Sequence, residues 1–220
     1  MSADVTLVAD LFACAGGATE GYRRAGWRVF GVDIVARDEY PEMCYEADVI
    51  KDGLAILRDM KPDFVHASPP CQANTPLTKG NRSRPGWVDD HVDLIPATRE
   101  ILEEYGAPYV IENTNGADMR RDWTACGEMF GLGVIRHRHF EFGHSARAPR
   151  IDHVPHRGRT RGWRHGVYYD GPYLAVYGKG GGKGSIAEWQ EAMGITHIST
   201  RLELAEAIPP AYTEAIARAQ

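Results

Sequence analysis

Cysteine is scarce in this chain: four in 220 residues, at positions 14, 44, 71 and 126, with no Cys-x-x-Cys pair. That scatter excludes a disulfide framework and the paired ligands of a zinc finger or ribbon, and leaves free thiols. Long apolar runs are missing as well. No stretch approaches the roughly 18 residues of a membrane span, and residues 1–6 (MSADVT) lack the basic flank and apolar core of a secretory signal. The expectation is a cytoplasmic protein with no membrane partner. Nor is there an excess of positive charge. A net charge of −5 rules out a surface basic throughout, but not a local patch. One such patch exists: Arg147, Arg150, Arg157, Arg159, Arg161 and Arg164 face a single acid, Asp152, with His153 and His156 interleaved. Repeats are absent too. What remains is an ordinary globular composition, 43% hydrophobic and 25% charged, long enough for one domain with a sizeable core and a small appendage.

The first 115 residues alternate strand-like and helix-like segments. Strands are expected at Thr6–Phe12, Arg28–Ile34, Asp63–Ala67 and Pro108–Glu112, and helices at Ala18–Ala25, Lys51–Met60 and Asp89–Tyr105. This alternation implies parallel pairing with right-handed crossovers, hence an α/β fold with a doubly wound, Rossmann-like sheet. Two irregular regions interrupt it. Residues 73–88 (ANTPLTKGNRSRPGWV) form a long basic loop, and 144–172 hold the arginine patch. A short strand at Tyr173–Tyr177, a glycine run (178–184, GKGGGKG) and helices at Ile186–Met193, Arg201–Ala207 and Ala211–Ala219 complete the chain. We divide it into a catalytic domain (1–143), a reduced basic small lobe (144–184) and C-terminal helices returning to the first domain (185–220).

In such sheets ligands sit beyond the carboxyl ends of the strands, so the strand ends are the places to look. The first strand runs into Asp10-Leu11-Phe12-Ala13-Cys14-Ala15-Gly16-Gly17, where glycines at a strand-to-helix turn let backbone approach a ligand. The second ends at Asp33-Ile34, with a carboxylate placed to accept hydrogen bonds from ribose hydroxyls. That pairing suits a nucleoside-bearing cofactor. The third ends in Ser68-Pro69-Pro70-Cys71-Gln72, two prolines stiffening the chain where a thiol emerges. The fourth, Tyr109-Val110-Ile111, ends in Glu112-Asn113, a carboxylate that desolvation should push toward its protonated form. A nucleophilic thiol and a proton-donating carboxyl beside a methyl-donor site suit one reaction. Carbon 5 of cytosine becomes nucleophilic only after a thiolate adds at C6 and an acid neutralises charge at N3.

These motifs, in this order, resemble the DNA cytosine-5 methyltransferase family over residues 6–143 and about 185–218. The resemblance implies S-adenosylmethionine as cofactor, held by Asp10–Gly17, by Asp33 as ribose acid, by Asp48 and Val49 at the adenine, by Pro70, and by Ala207 and Ile208 on the C-terminal return. It implies Cys71 as nucleophile, Glu112 at the N3 face, and Arg136-His137-Arg138 as the Arg-x-Arg strand, with Arg136 and Arg138 serving the reaction. Pro69, Gln72 and Asn113 would border the substrate. Cys14 stands where glycine is usual, Thr114 where valine is, and Glu206-Ala207 where Gly-Asn is. The largest departure is length. About 45 residues separate Phe140 from Ile186, where family members carry a much larger target-recognition domain.

A partner follows from that departure. We expect double-stranded DNA, contacted through phosphates by Lys79, Arg82, Arg84, Arg157, Arg159 and Arg161, with relaxed or short sequence specificity. Trp163, Tyr168, Tyr169 and Tyr173 are expected to pack the small lobe rather than stack on bases. The chain would act as a monomer or with a partner that supplies target recognition. Two alternatives stay open: the same chemistry on RNA or free dCMP, and a non-catalytic module that binds cofactor or DNA. The nine histidines show no metal-binding spacing, and Asp152, His153 and His156 read as surface composition. No metal is expected.

Overall fold

The computed structural model describes residues 5–71, 92–164, 166–178 and 184–220. Its centre is a seven-stranded sheet built from β1 (Leu7–Leu11), β2 (Arg28–Asp33), β3 (Cys44–Glu46), β4 (Phe64–Ala67), β5 (Tyr109–Asn113), β6 (Trp123–Ala125) and β7 (Arg138–Gly143). The strand order is β3-β2-β1-β4-β5-β7-β6. β3, β2, β1, β4 and β5 are mutually parallel, whereas β7 pairs antiparallel with both β5 and β6.

Helices cover both faces, so the parallel strands read as nearly unbroken apolar runs. α1 (Gly17–Arg24) and α6 (Pro210–Ala219) pack together on one face around Val8, Tyr22, Phe64, Val110, Tyr212 and Ile216. α2 (Val49–Met60) and α3 (Ile95–Tyr105) cover the other, over Ala9, Leu11, Val65, Ala67 and Ile111. Successive side chains alternate faces. The register Asp10↔His66↔Val110 therefore aligns Asp10 and His66 under α1, with Glu112 two residues beyond Val110 on the same face. The polar residues of the central strands thus converge on one side, at the carboxyl ends. A third cluster, Trp189, Met193, Ile195, Ile198 and Leu204 from α4 (Ile186–Met193), α5 (Arg201–Glu206) and their linker, closes over Ala15.

Several boundaries differ from the sequence expectation. The helix expected from Asp89 begins at Ile95; residues 92–94 are not helical, and 89–91 lie outside the described residues, as does the loop 73–88. The strand expected at Tyr173–Tyr177 does not form. Tyr173 bridges Thr160 and Leu174 bridges Val134, so each finds one partner on a different segment and no ladder propagates. The Arg-x-Arg strand begins only at Arg138, leaving Arg136 and His137 ahead of it. A hairpin of β8 (Gly162–Arg164) and β9 (Val167–Tyr169) was not anticipated. Nor do all the small-lobe aromatics pack. Tyr173 is buried, but Trp163 is 73% exposed and Tyr168 50%, their rings meeting edge to face at 5.5 Å.

Candidate active site

A cavity of about 690 Å³ opens at the carboxyl ends of β1, β2, β4 and β5. Its lining gathers Asp10, Phe12, Ala13, Cys14, Ala15, Gly17, Asp33, Ile34, Asp48, Val49, Pro69, Pro70, Cys71, Glu112, Asn113, Arg138, Ala207 and Ile208, so the strand-end residues singled out in the sequence share one space.

One half is built by the turn after β1. Phe12, Cys14 and Gly16 all have positive φ, which carries the chain sharply from strand into helix. Gly16 does not line the cavity; it shapes the turn, and a Cβ there would sit 2.5 Å from Pro41 Cδ. Asp33 holds the turn in place. Its Oδ2 accepts the Cys14 N–H at 2.8 Å and its Oδ1 the Val35 N–H at 3.1 Å, leaving lone pairs of both oxygens for further donors. Asp48 caps α2 by accepting the Ile50 N–H at 3.0 Å. Below them Asp10 is buried and accepts the Thr19 hydroxyl at 2.5 Å; burial pushes its pKa up to about 7. Burial likewise pushes the Cys14 thiol up to about 12, so that cysteine is inert at neutral pH.

The other half holds the Cys71 thiol, the Glu112 carboxyl and the Arg138 guanidinium. Asn113 donates from Nδ2 to Pro69 O at 2.8 Å and accepts the Thr114 N–H with Oδ1, which ties the Pro69–Cys71 corner to β5. Both polar ends of Asn113 are thus engaged by the chain itself. Burial raises the Cys71 thiol above its ordinary value, Arg138 lowers it, and Glu112 raises it further. Burial also raises Glu112, with Arg138 and a hydrogen bond from Ser68 acting against it. Arg138 Nε lies 2.9 Å from Glu112 Oε1, yet that oxygen accepts no directed hydrogen bond among the described residues. A buried acceptor in this state calls for a donor on a ligand. Behind Ser68, His66 sits between the Tyr22 hydroxyl (3.0 Å to Nδ1) and Ser68 Oγ (2.9 Å to Nε2), and burial lowers its pKa to about 3. A neutral imidazole that accepts a hydrogen bond from the Tyr22 hydroxyl at Nδ1 presents Nε2–H to Ser68, which leaves the serine hydroxyl to donate to Glu112.

Arg136 sits elsewhere than its neighbour Arg138. Its guanidinium is buried and donates to Val176 O (2.9 Å), Ala205 O (2.6 Å) and Ala207 O (2.8 Å), outside the cavity lining. It pins the C-terminal segment that forms the cavity wall. Burial lowers its pKa to about 9, still a cation at neutral pH. Arg157, Arg159 and Arg161 also lie off the cavity. Arg157 pairs with Glu128 at 2.5 Å, Arg159 lies 4.9 Å over the Tyr169 ring, and Arg161 reaches Asp170 at 4.0 Å. Gln72, Lys79, Arg82 and Arg84 fall outside the described residues. Arg37 and Leu94 line the cavity although no motif marked them. Arg37 bonds Glu203 at 3.0 Å, and its buried Nε has no partner among the described residues.

This sheet order, with β7 antiparallel, is a Rossmann-like α/β fold, and two solved methyltransferases share it. Among solved structures the chain is similar to the Entamoeba histolytica methyltransferase EhMeth (TM-score 0.64, 11% identity, 97% of each chain covered). It is also similar to the S. pombe Dnmt2 methyltransferase (TM-score 0.57, 12% identity, 96% of this chain and 97% of that one). A match to a DNMT2 variant from Spodoptera frugiperda, TM-score 0.45 and 16% identity, covers 61% of this chain and spans about half, 48%, of that chain's length. No protein-family model matches the sequence, and no curated protein does.

Proposed function

We propose that the chain transfers a methyl group from S-adenosylmethionine to carbon 5 of cytosine in DNA, through a covalent bond between Cys71 and C6. The observation that carries this reading is the shared cavity. A thiol, a buried carboxyl with an unsatisfied oxygen and a guanidinium open onto the same space as the β1–α1 turn and Asp33.

The residues fit the cofactor. A volume of about 690 Å³ lies within the range for a drug-sized or nucleoside ligand. Asp33, Asp48 and Glu206 line it against Arg37 and Arg138, with Asp10 and Glu112 held toward their protonated forms by burial, a mildly acidic lining that suits a cationic sulfonium. Asp33 offers lone pairs suited to ribose hydroxyls, and Arg37 Nε is an orphaned donor suited to a carboxylate. When bound, S-adenosylmethionine supplies an electrophilic methyl group. The protein's part is to make carbon 5 attack it. Arg138 favours the Cys71 thiolate, whose sulfur bonds to C6. Glu112, held toward its protonated form by burial, keeps a proton at N3, so the ring's electrons move to C5. After methylation, water takes the C5 proton, its C–H electrons form the C5–C6 double bond, and the S–C6 bond breaks to release the thiolate. DNA as the polymer rests on the basic segment. Arg159 and Arg161 flank a hairpin whose Trp163 and Tyr168 face solvent, a combination suited to phosphates and unstacked bases. So small a surface suits relaxed or short specificity.

Labelled-methyl transfer measured in parallel on duplex DNA, single-stranded DNA, RNA and dCMP tests the proposal. Duplex DNA should be methylated, and Cys71→Ala should abolish transfer. Full activity of that variant would refute the covalent mechanism; exclusive transfer to dCMP or RNA would refute the substrate. A covalent adduct with DNA containing 5-fluorocytosine, absent in the variant, would exclude a mere binding module.

A further inference from the structure

Cys126, His137, His153 and His156 come together where β6 ends and β7 begins, and none of the four lines the cavity. Each offers one ligand atom, and all four atoms lie within 4.8 Å of one another. Cys126 Sγ is 3.4 Å from His156 Nε2, and the Nε2 atoms of His137 and His153 are 2.9 Å apart. The three imidazole rings sit at centroid distances of 5.0–5.1 Å.

We propose that these four side chains form a structural zinc site. Bonds of about 2.0–2.1 Å to nitrogen and 2.3 Å to sulfur place the ligands of a tetrahedral zinc roughly 3.3–3.6 Å apart, a span that the observed contacts bracket. Three imidazoles and a thiol pointing inward bring lone pairs together, and one divalent ion satisfies them all. With four protein ligands the site is closed, which is the structural rather than the catalytic pattern. On binding, the Cys126 thiol gives its proton to solvent and the sulfur–metal bond forms. Cys126 follows β6, His137 precedes β7, and His153 and His156 belong to a stretch with neither helix nor strand. The ion would clasp that stretch to the sheet edge. Its effect extends inward, because the His137 carbonyl accepts Arg138 Nη1 at 2.9 Å and Arg138 lies against Glu112. The proposed site gives His153 and His156 a role that the reading as surface composition did not. It was invisible because zinc signatures are recognised by short spacings, whereas these ligands meet only through the fold.

The site is independent of the methyl-transfer reading. The whole chain, purified without a histidine tag, is assayed for metal by mass spectrometry and then loaded with cobalt in place of zinc. We expect one zinc per chain, and a thiolate-to-cobalt charge-transfer band that Cys126→Ser removes. His153→Ala alters an exposed ligand and should lose the metal while keeping the native circular dichroism. A wild-type chain that neither carries zinc nor takes it up from stoichiometric zinc would overturn the site. So would retention of the metal by both variants.

Discussion

Asp10→Asn isolates the buried carboxyl beneath the β1–α1 turn. Asp10 is almost wholly buried, and burial raises it from 3.8 to about 7, with the charges of Asp33 and Glu112 adding to the shift and the Thr19 hydroxyl opposing it. A folded pKa above the unfolded one means the folded state binds the proton more tightly. Its contribution to stability is therefore complete below about pH 4 and drains away as pH rises toward 7. Three units correspond to about 4 kcal/mol, of which about 3 kcal/mol is lost between about pH 5 and pH 8. Asparagine keeps an acceptor for Thr19 but cannot ionise. Urea unfolding of wild type and variant, compared at both pH values, should show the wild type losing about 3 kcal/mol more than the variant on going to the higher pH. The slope is the readout, since the new amide can change absolute stability. If the two proteins show the same pH dependence to within about 1 kcal/mol, Asp10 does not titrate as its burial requires.

Two further outcomes follow from the site. Glu112→Gln removes the carboxylate that raises Cys71 once it ionises and leaves Arg138 unopposed, so the thiol should titrate lower and iodoacetamide should alkylate Cys71 faster on the alkaline side of the profile; an unchanged pH profile would show that the two groups are uncoupled. Arg136→Met leaves the carbonyls of Val176, Ala205 and Ala207 without their donor, at a cost of roughly 2–5 kcal/mol, read by urea unfolding. A loss below about 1 kcal/mol would mean the arginine does not hold the C-terminal wall.

Periodicity and strand-end chemistry by themselves determined the α/β class, the positions of β1, β2, β4 and β5, and the residues that end them. A parallel strand covered on both faces is a compact apolar run, and the residue after it is exposed to whatever lies beyond the sheet edge. Asp10, Asp33, Cys71 and Glu112 could be marked on that ground alone. Short or paired elements could not: β3 has three residues, and the β8–β9 hairpin is mostly exposed, so neither leaves a core-facing pattern. Only the tertiary structure decided what each side chain meets. Arg136 and Arg138 look equivalent in sequence, yet one is sealed among backbone carbonyls and the other opens onto the cavity beside Glu112. His153 and His156 read as surface composition until the fold sets them against His137 and Cys126. Spacing along the chain encodes helix, strand and turn, because those depend on neighbours a few residues away. The meeting of ligand atoms and charges depends on elements packed together from distant positions, and that only the folded chain brings about.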